Sequence, residues 1–356
     1  MKLLRLSELT GNERLGKHIL TPNGKELMAK GTIIKSEYVT KLQELGIEYV
    51  YVDDSQFIEI DFDSLDEGII CSKVKEESTS IVKNVLERHI YKNTSDLEKL
   101  CEAANIIVDD ILSEQDILER VVNIRRENTD IYSHSINVCS LATVIALKNG
   151  YDKSIVTEIA KGCILHDLGL RFTAVNYENT NIDDLNPKDK SDFKKHVILG
   201  YDAIEHESWA TQIVKDIVLL HHERCDGSGY PFKRLDSELD DIIKIVSVCD
   251  DFDSMISGIG YESMKVHKVV EYIKCHSLCK YHSKYAEQLL TMVAMYPVGT
   301  KVIISDNRIG VVVKQNKECI DRPVLKIIAD RTGKELPEET IDMTKSLTIF
   351  IEDTLD

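Results

Sequence analysis

The chain has 356 residues, of which 43% are hydrophobic, and its 44 basic and 61 acidic side chains give a formal net charge of −17. This length is enough for a sizeable hydrophobic core and predicts roughly two or three domains. The acidic balance excludes binding along a nucleic acid polymer, which needs tracks of basic side chains, but bound cations would still allow a small anionic ligand.

The amino-terminal residues 1–60 alternate short apolar stretches with turns. Pro22-Asn23-Gly24 and Gly31 are turn formers, and "LGIEYVYVDD" has a strand pattern, so we expect a small β-rich module. The opening "MKLLRLSELTGNERLGKH" is interrupted by charge too early for a secretory signal. No stretch has the roughly 18 uninterrupted apolar residues of a membrane span, and we therefore expect a cytoplasmic protein.

Residues 61–107 are interpreted as a connecting helical segment. The segment starts acidic and polar, and a helical spacing of apolar residues then begins in "LEKLCEAANIIVDDILSEQDILERVVNI". The pattern leaves open whether this segment is a linker or supplies the first helices of the next domain.

Residues 108–290 are predicted to form a mostly α-helical domain, because long apolar or amphipathic runs follow one another there. These runs include "INVCSLATVIALKNG", "SIVTEIAKGCILHDLG", "DFKKHVILGYDAI" and "IIKIVSVCDDFDSM". The first helix is expected to end at Asn149-Gly150, and the second to begin with Asp152 or Ser154 as its cap.

Residues 291–356 change to a β pattern. The stretches "GVVVKQN", "RPVLKIIAD" and "SLTIFIED", with a turn at "DRTGK", predict an antiparallel meander. The elements together predict a mainly α protein, a helical bundle with small β-rich modules at its two ends.

Nine cysteines are scattered along the chain without the regular spacing of a disulfide framework, so we expect reduced thiols. Cys275, His276 and Cys279 in "CHSLC" form a close group that can be weighed as a metal clip. A second Cys/His pair at zinc spacing does not accompany it, which disfavours a structural zinc site.

Histidines and carboxylates collect at the ends of the apolar helical runs. His166-Asp167 ends "CILHD", where a carboxylate beside a buried segment costs several kcal/mol unless it is paired or binds a cation. His221-His222 follows "DIVLL", and neighbours on a helix point about 100° apart, so each can reach a different ion of a pair. His134 and His196 are each explained equally well as ordinary surface or core histidines. Three aspartates follow the last apolar run, where capping or a salt bridge is the alternative: Asp250, Asp251 and Asp253.

Imidazole nitrogens and carboxylate oxygens together suit iron, manganese or zinc better than magnesium, which prefers oxygen and water. A carboxylate that bridges two ions about 3.5 to 4 Å apart is suited to activating water and to displacement at phosphorus. The composition of this group of residues therefore indicates a metal-dependent hydrolase.

The ordered series of these motifs resembles the HD-GYP family, a branch of the HD-domain metal phosphohydrolases, over roughly residues 108–290. The series comprises His134, the "HD" of His166-Asp167, His196, the "HH" of His221-His222, "DGSGYP" at residues 226–231, and Asp250. The amino-terminal "LGKHILTPNGKELMAKGTII" and the carboxy-terminal "YPVGTKVIIS" also resemble segments that flank this domain in bacterial members.

The resemblance implies an all-α HD-domain bundle around a binuclear centre of divalent ions, with iron or manganese as the expected metals. It implies that a metal-bridging hydroxide hydrolyses a cyclic dinucleotide second messenger, usually cyclic di-GMP, to linear pGpG or GMP. The implied metal ligands are His134, His166, Asp167, His196, His221, His222 and Asp250, with Asp167 as the catalytic bridge. The candidate substrate contacts are Arg171, Gly229, Tyr230, Pro231 and Asp253. Tyr230 could stack on a base, although a plain turn explains the loop equally well, and Arg171 could replace a missing phosphate-binding lysine, with a solvated surface arginine as the alternative.

Three positions depart from the family pattern. The usual phosphate-binding lysine after the "HD" motif is Leu170, and the usual basic residues after the aspartate segment are Ile259 and Glu262. Because a charge-assisted phosphate contact contributes roughly 1.5 to 3 kcal/mol, the losses favour an alternative function, a metal-containing cyclic-dinucleotide sensor or regulatory module with impaired catalysis. A third hypothesis is that the site hydrolyses another phosphate ester or catalyses an iron-dependent oxidation.

Two further questions stay open at this point. Asp130 lies one helical turn before His134, where some family members place a carboxylate for a third ion, although a helix-start acid explains it as well. The terminal modules leave room for a homodimer or for a signalling partner.

Overall fold

The computed structural model describes residues 68–92, 96–114, 116–124, 130–332 and 334–355, together with short stretches among residues 2–53. The chain divides into two compact units, residues 1–61 and residues 62–356. None of the helices in these described stretches combines the length and the apolar character that crossing a bilayer requires.

The first unit contains short antiparallel strands. Strands β1 (Lys2–Arg5) and β2 (Arg14–Leu15) both pair with β5 (Tyr49–Asp53), and β3 (Ile19–Leu20) pairs with β4 (Glu26–Met28). Strand β5 lies within the stretch for which the sequence predicts a strand. The predicted turn formers Pro22-Asn23-Gly24 and Gly31 lie outside the described residues. A small core of its own joins these pieces, formed by Leu6, Leu15, Ile34, Leu42 and Val50.

The second unit begins with helices, most of which contribute residues to one hydrophobic core. These helices are α1 (Ser72–Lys92), α2 (Leu100–Ser113), α3 (Ile131–Lys148), α4 (Lys153–Leu165), α5 (Pro187–Lys194), α6 (His196–Ile204), α7 (Gln212–Leu220), α8 (Asp241–Ser257), α9 (Val266–His276) and α10 (Ser283–Met292). Val82 of α1 and Ile107 of α2 are fully buried in the same cluster as residues of α3, α4 and α8. The segment that the sequence left open between linker and helices therefore shares the core of the helices that follow it.

Local capping chemistry sets where the helices at the site begin and end. Asp130 caps α3 by accepting hydrogen bonds from the backbone amides of Tyr132 and Ser133, and Asp152 caps α4 in the same way. Helix α3 ends at Lys148, and Gly150 follows with φ of 80°, a left-handed conformation that glycine adopts without strain. The predicted end of α3 and the predicted start of α4 are confirmed.

A five-stranded antiparallel sheet closes the second unit. Strands β6 (Lys301–Ile304), β7 (Arg308–Lys314), β8 (Val324–Asp330) and β9 (Glu335–Asp342) form a meander, and β10 (Ile351–Thr354) returns to pair with β6. The mainly α fold and the carboxy-terminal meander are confirmed. The sequence did not predict β9, because its charged residues and Pro337 lack a strand pattern. All nine cysteines are free, as expected.

Candidate metal centre

The predicted metal ligands meet where helices of the second unit begin or end. His134 lies in the first turn of α3, His166 and Asp167 follow α4, His196 begins α6, His221 and His222 follow α7, and Asp250 lies within α8. All of them are at most 4% exposed except His222, whose side chain is 13% exposed. Their donor atoms form overlapping groups within which all atoms lie within 4.8 Å of one another. The structure thus brings seven residues that are distant in sequence into one buried cluster.

Asp167 lies between two sets of histidines. Its Oδ1 is 3.4 Å from Nε2 of His196 and 3.6 Å from Nε2 of His221. Its Oδ2 is 3.3 Å from Nε2 of His166 and 3.6 Å from Nε2 of His134. Each oxygen therefore faces a different pair of imidazoles, which is the arrangement that a carboxylate shared by two ions would have.

Hydrogen bonds on the far side of the rings orient these histidines. Nδ1 of His166 lies 2.6 Å from the carbonyl of Cys163, and Nδ1 of His196 lies 2.7 Å from the carbonyl of Phe193. Nδ1 of His221 contacts the Ile217 carbonyl at 3.0 Å. Because a carbonyl can only accept, each Nδ1 carries a proton, and Nε2 is then the nitrogen that could offer a lone pair to a cation once the ring is neutral.

The donor set fits cations. Nε2 of His134 lies 3.2 Å from Nε2 of His166, and Nε2 of His196 lies 3.4 Å from Nε2 of His221, so lone pairs would face each other in the neutral rings. Oδ2 of Asp250 and Nε2 of His222 are buried without a hydrogen-bond partner. Buried acceptors without donors are costly, and divalent ions that take mixed nitrogen and oxygen ligands would remove that cost.

The electrostatics of the cluster lead to the same requirement for positive charge. Burial by itself lowers the pKa of His134, yet hydrogen bonds to Asp250 and Asp253 raise it to about 9. Burial lowers the pKa of His196 to about 4. Burial would raise the pKa of Asp167, but His166, His221 and His196 together outweigh it and hold this pKa well below its usual range. Where the carboxylates gather, the cluster retains protons that metal ions would displace on binding.

Asp253 lies behind His134. Its Oδ2 is 2.8 Å from Nδ1 of His134 and accepts a hydrogen bond from the Ser257 hydroxyl at 2.8 Å, while Oδ1 accepts from the Asn137 amide at 2.9 Å. The carboxylate is fully buried and contacts the ring edge that points away from Asp167. Its predicted role as a substrate contact stays a prediction, and the geometry makes it a support for a candidate ligand.

A buried glutamate that the sequence analysis did not single out organises the loop after His222. Glu223 accepts hydrogen bonds from the amides of Phe232 at 2.7 Å and Arg234 at 2.9 Å. Within this loop, Gly229 lies against the backbone of His222 to Arg224. A Cβ at this position would be 2.5 Å from that backbone, so only glycine fits. Tyr230 consequently stacks on His222, with ring centroids 4.7 Å apart and an interplanar angle of 27°.

Asp251, next to Asp250, anchors the loop to α8. Its carboxylate pairs with Arg224 at 2.8 Å and with Lys280 at 3.1 Å, and it accepts hydrogen bonds from the hydroxyls of Tyr261 and Tyr281 at 2.8 and 2.6 Å. Burial would raise the pKa of Asp251, but Arg224 and Lys280 outweigh it and lower this pKa. Asp251 thus takes the salt-bridge role that the sequence allowed for these aspartates. Arg224 and the two tyrosines gave no recognisable signal.

Two of the positions that depart from the family pattern are filled by an apolar cluster. Leu170 is 1% exposed and Ile259 is 4% exposed, and both pack with Ile131, Ile182 and Phe193. Glu262 is exposed. An apolar wall therefore stands where the resemblance implies basic side chains.

Arg171, the residue after Leu170, contacts Tyr132 of α3. Its guanidinium donates a hydrogen bond to the Tyr132 hydroxyl and lies 5.7 Å from the centre of that ring. Its Nε is buried without a hydrogen-bond partner. The side chain therefore retains an unused donor.

The turn after Asp167 lies against the start of α6. A Cβ at Gly169 would overlap the His196 carbonyl, and Gly200 of α6 lies against the same turn. Glycine is required at this contact because the two backbones leave no room for a side chain.

Both parts of the second unit match families of known proteins. Residues 114–284 match the HD domain family, and residues 301–356 match the KOW domain associated with HD domains. The protein named cyclic di-GMP phosphodiesterase PA4108, from Pseudomonas aeruginosa, is 23% identical over 284 residues, which cover 78% of this chain and 66% of that protein. A cyclic di-GMP phosphodiesterase from Thermotoga maritima is 33% identical over 172 residues, which cover 48% of this chain and 46% of that protein. The chain thus spans less than two thirds of these curated relatives.

One solved structure shares the fold. The structure of Bd1817, described as an HDG"Y"P protein from Bdellovibrio bacteriovorus, aligns with a TM-score of 0.54 at 20% identity. The alignment covers 81% of this chain and 98% of that chain.

Proposed function

Because residues 114–284 form an HD domain and these likenesses support an HD-GYP-type family, we propose that the chain is a metal-dependent phosphodiesterase that hydrolyses a cyclic dinucleotide. Cyclic di-GMP is the first candidate, because two curated relatives are named for that activity. The observation that carries the proposal is the position of Asp167, whose two oxygens face two different pairs of histidines.

The proposed centre holds two divalent ions, iron or manganese. Asp167 would be the ligand shared by both ions, and the other residues that would hold them are His134, His166, His196, His221, His222 and Asp250. Bound ions of this kind acidify water and stabilise the charge that develops on a phosphoryl group during displacement. Asp130 is engaged in capping α3, which favours two ions over three.

The proposed substrate contacts lie around this centre. Arg171 offers its unused Nε to a phosphate oxygen, and a planar guanidinium suits that contact. Gly229, Tyr230 and Pro231 lie in the loop that is clamped by Glu223, so they can approach a substrate without ordering a flexible segment first. Asp253 contributes indirectly by holding His134 in place.

The test combines metal analysis with a turnover assay on protein purified without oxygen and loaded with manganese or iron. We expect about two ions per chain and release of linear pGpG or GMP from cyclic di-GMP. A panel of other cyclic dinucleotides would define the preferred substrate. Full metal occupancy without turnover or binding of any cyclic dinucleotide would refute the proposal.

A cyclic-dinucleotide sensor with impaired catalysis is the second candidate, and the burial of Leu170 and Ile259 in an apolar cluster is the observation that favours it. Calorimetry on the metal-loaded protein separates the two functions. Tight binding of cyclic di-GMP without hydrolysis would establish the sensor, whereas rapid turnover would eliminate it.

A further inference from the structure

Lys194, the last residue of α5, lies near the most exposed of the proposed metal ligands. That ligand is His222, whose side chain is 13% exposed, whereas the other proposed ligands are at most 4% exposed. Tyr230 covers His222, and the ammonium of Lys194 lies over the Tyr230 ring, 4.9 Å from its centroid. A positive charge therefore lies one aromatic ring away from a proposed metal ligand.

The lysines near the end of α5 have different partners. Lys190 pairs with Asp183, and Lys195 pairs with Asp192 at 2.6 Å. Within the described part of the chain, Lys194 has no carboxylate within 4 Å and contacts an aromatic ring instead. Lys194 is also half-buried, whereas the Lys195 side chain is 57% exposed. In a chain with a net charge of −17, a half-buried lysine without a carboxylate partner is suited to an anionic ligand.

The residue before Lys194 belongs to the apolar wall. Phe193 packs with Leu170 and Ile259, and its ring lies 5.0 Å from the His196 ring. Lys194 therefore directly follows a residue that packs against Leu170 and Ile259, the two positions that lack the family's basic side chains. This places a cation beside the apolar wall and next to Tyr230.

We propose that Lys194 binds the phosphate of a cyclic dinucleotide that is not being cleaved. This inference rests on the proposed function, because it requires a substrate with one phosphate at the ions and a second one farther out. Tyr230 supports the lysine chain, and its contact with His222 sets the distance between the ammonium and the centre. A substrate with a single phosphate would bind without using Lys194.

Replacing Lys194 by alanine tests this with two substrates. We expect K194A to raise the KM for cyclic di-GMP, and its Kd in calorimetry, about tenfold to a hundredfold, since a charge-assisted contact is lost. The kcat, the metal content and turnover of bis(p-nitrophenyl) phosphate, which has one phosphate, should stay unchanged. K194R should retain most of the affinity. K195A removes one positive charge at the neighbouring position and is the matched control, so it should behave like the wild type.

Each other result decides against the inference. Equal KM and Kd values for K194A and K195A would show that Lys194 does not touch the substrate, while wild-type turnover would leave the proposed function intact. Equal losses with both substrates, or loss of metal, would assign Lys194 a structural role. A metal-loaded wild type that neither binds nor cleaves any cyclic dinucleotide would refute the proposed function and this inference with it.

Discussion

The floor and the mouth of the centre are built in different ways. The floor consists of the proposed metal ligands, which are almost fully buried and oriented by hydrogen bonds to backbone carbonyls or to Asp253. The region that we call the mouth comprises the buried apolar residues Leu170 and Ile259 and the cations of Arg171 and Lys194. Ion ligation requires one atom in one place, whereas a long cationic side chain can reach a phosphate from several backbone positions. The difference teaches that a set of metal ligands can stay complete while the positive charges around it move to other backbone positions.

The largest expected effect comes from replacing Asp167, the proposed bridging ligand. Asp167→Asn leaves one oxygen and no charge between the two sets of histidines. We expect loss of bound metal and a fall in turnover of at least about a thousandfold, since the ions supply several kcal/mol of stabilisation. Metal content per chain and turnover of cyclic di-GMP measure both effects.

Asp192→Asn, a change of the same kind on the surface of α5, is the control for this variant. An Asp167→Asn protein that keeps two ions and half of its activity would remove Asp167 from the centre.

The next effect concerns the junction between floor and mouth. Arg224→Met leaves the Asp251 carboxylate buried with only Lys280 and two tyrosines, and breaking a buried pair costs about 3 to 5 kcal/mol. We expect a loss near the lower end of that range in urea unfolding. Arg308→Met removes a more exposed pair with Asp306 and should cost less than about 1 kcal/mol. Equal stability of the two variants would contradict the role of Asp251 as an anchor.

A third experiment asks whether the mouth can be restored to the family pattern. Leu170→Lys places an ammonium in the cluster with Phe193 and Ile259, and we expect a loss of about 3 kcal/mol in unfolding free energy. Phe172→Lys, at a position that is 44% exposed, should be nearly neutral. Tighter binding of cyclic di-GMP by a stable Leu170→Lys protein would show that this wall still serves the substrate.

The smallest effect comes from the support behind the floor. Asp253→Asn weakens the hydrogen bond that orients His134 without removing a ligand, and such changes typically lower metal affinity by about tenfold or more. Competition with a fluorescent chelator measures that affinity, and the exposed Asp184→Asn is the control. If cyclic di-GMP affinity falls while metal affinity is unchanged, Asp253 contacts the substrate as the sequence analysis first predicted.

The sequence was sufficient for the fold class, because helical spacing and strand patterns extend over whole elements. It also indicated the site, since histidines and carboxylates directly after apolar runs, such as "CILHD", are costly unless something binds them. The structure brings all seven of those residues together. The sequence could not indicate β9, because that strand pairs at the edge of a sheet despite its charged residues.

Residues whose role depends on the path of the chain gave no signal. Glu223 is recognisable only once residues 232 and 234 return to it, and Arg224 only once α8 lies beside the loop. Lys194 and Lys195 are identical in the sequence, and the turn of the helix alone decides which one reaches Tyr230. Local patterns therefore predict the floor of the site much better than its mouth.

The contact between Gly169 and the carbonyl of His196 has a consequence for how the centre could change over time. This contact joins backbone to backbone, so the separation between Asp167 and His196 is set by the course of the main chain. Substitutions in the surrounding core can then accumulate without widening the centre. A chain built this way can exchange the side chains around the centre and still keep the same arrangement of proposed ligands.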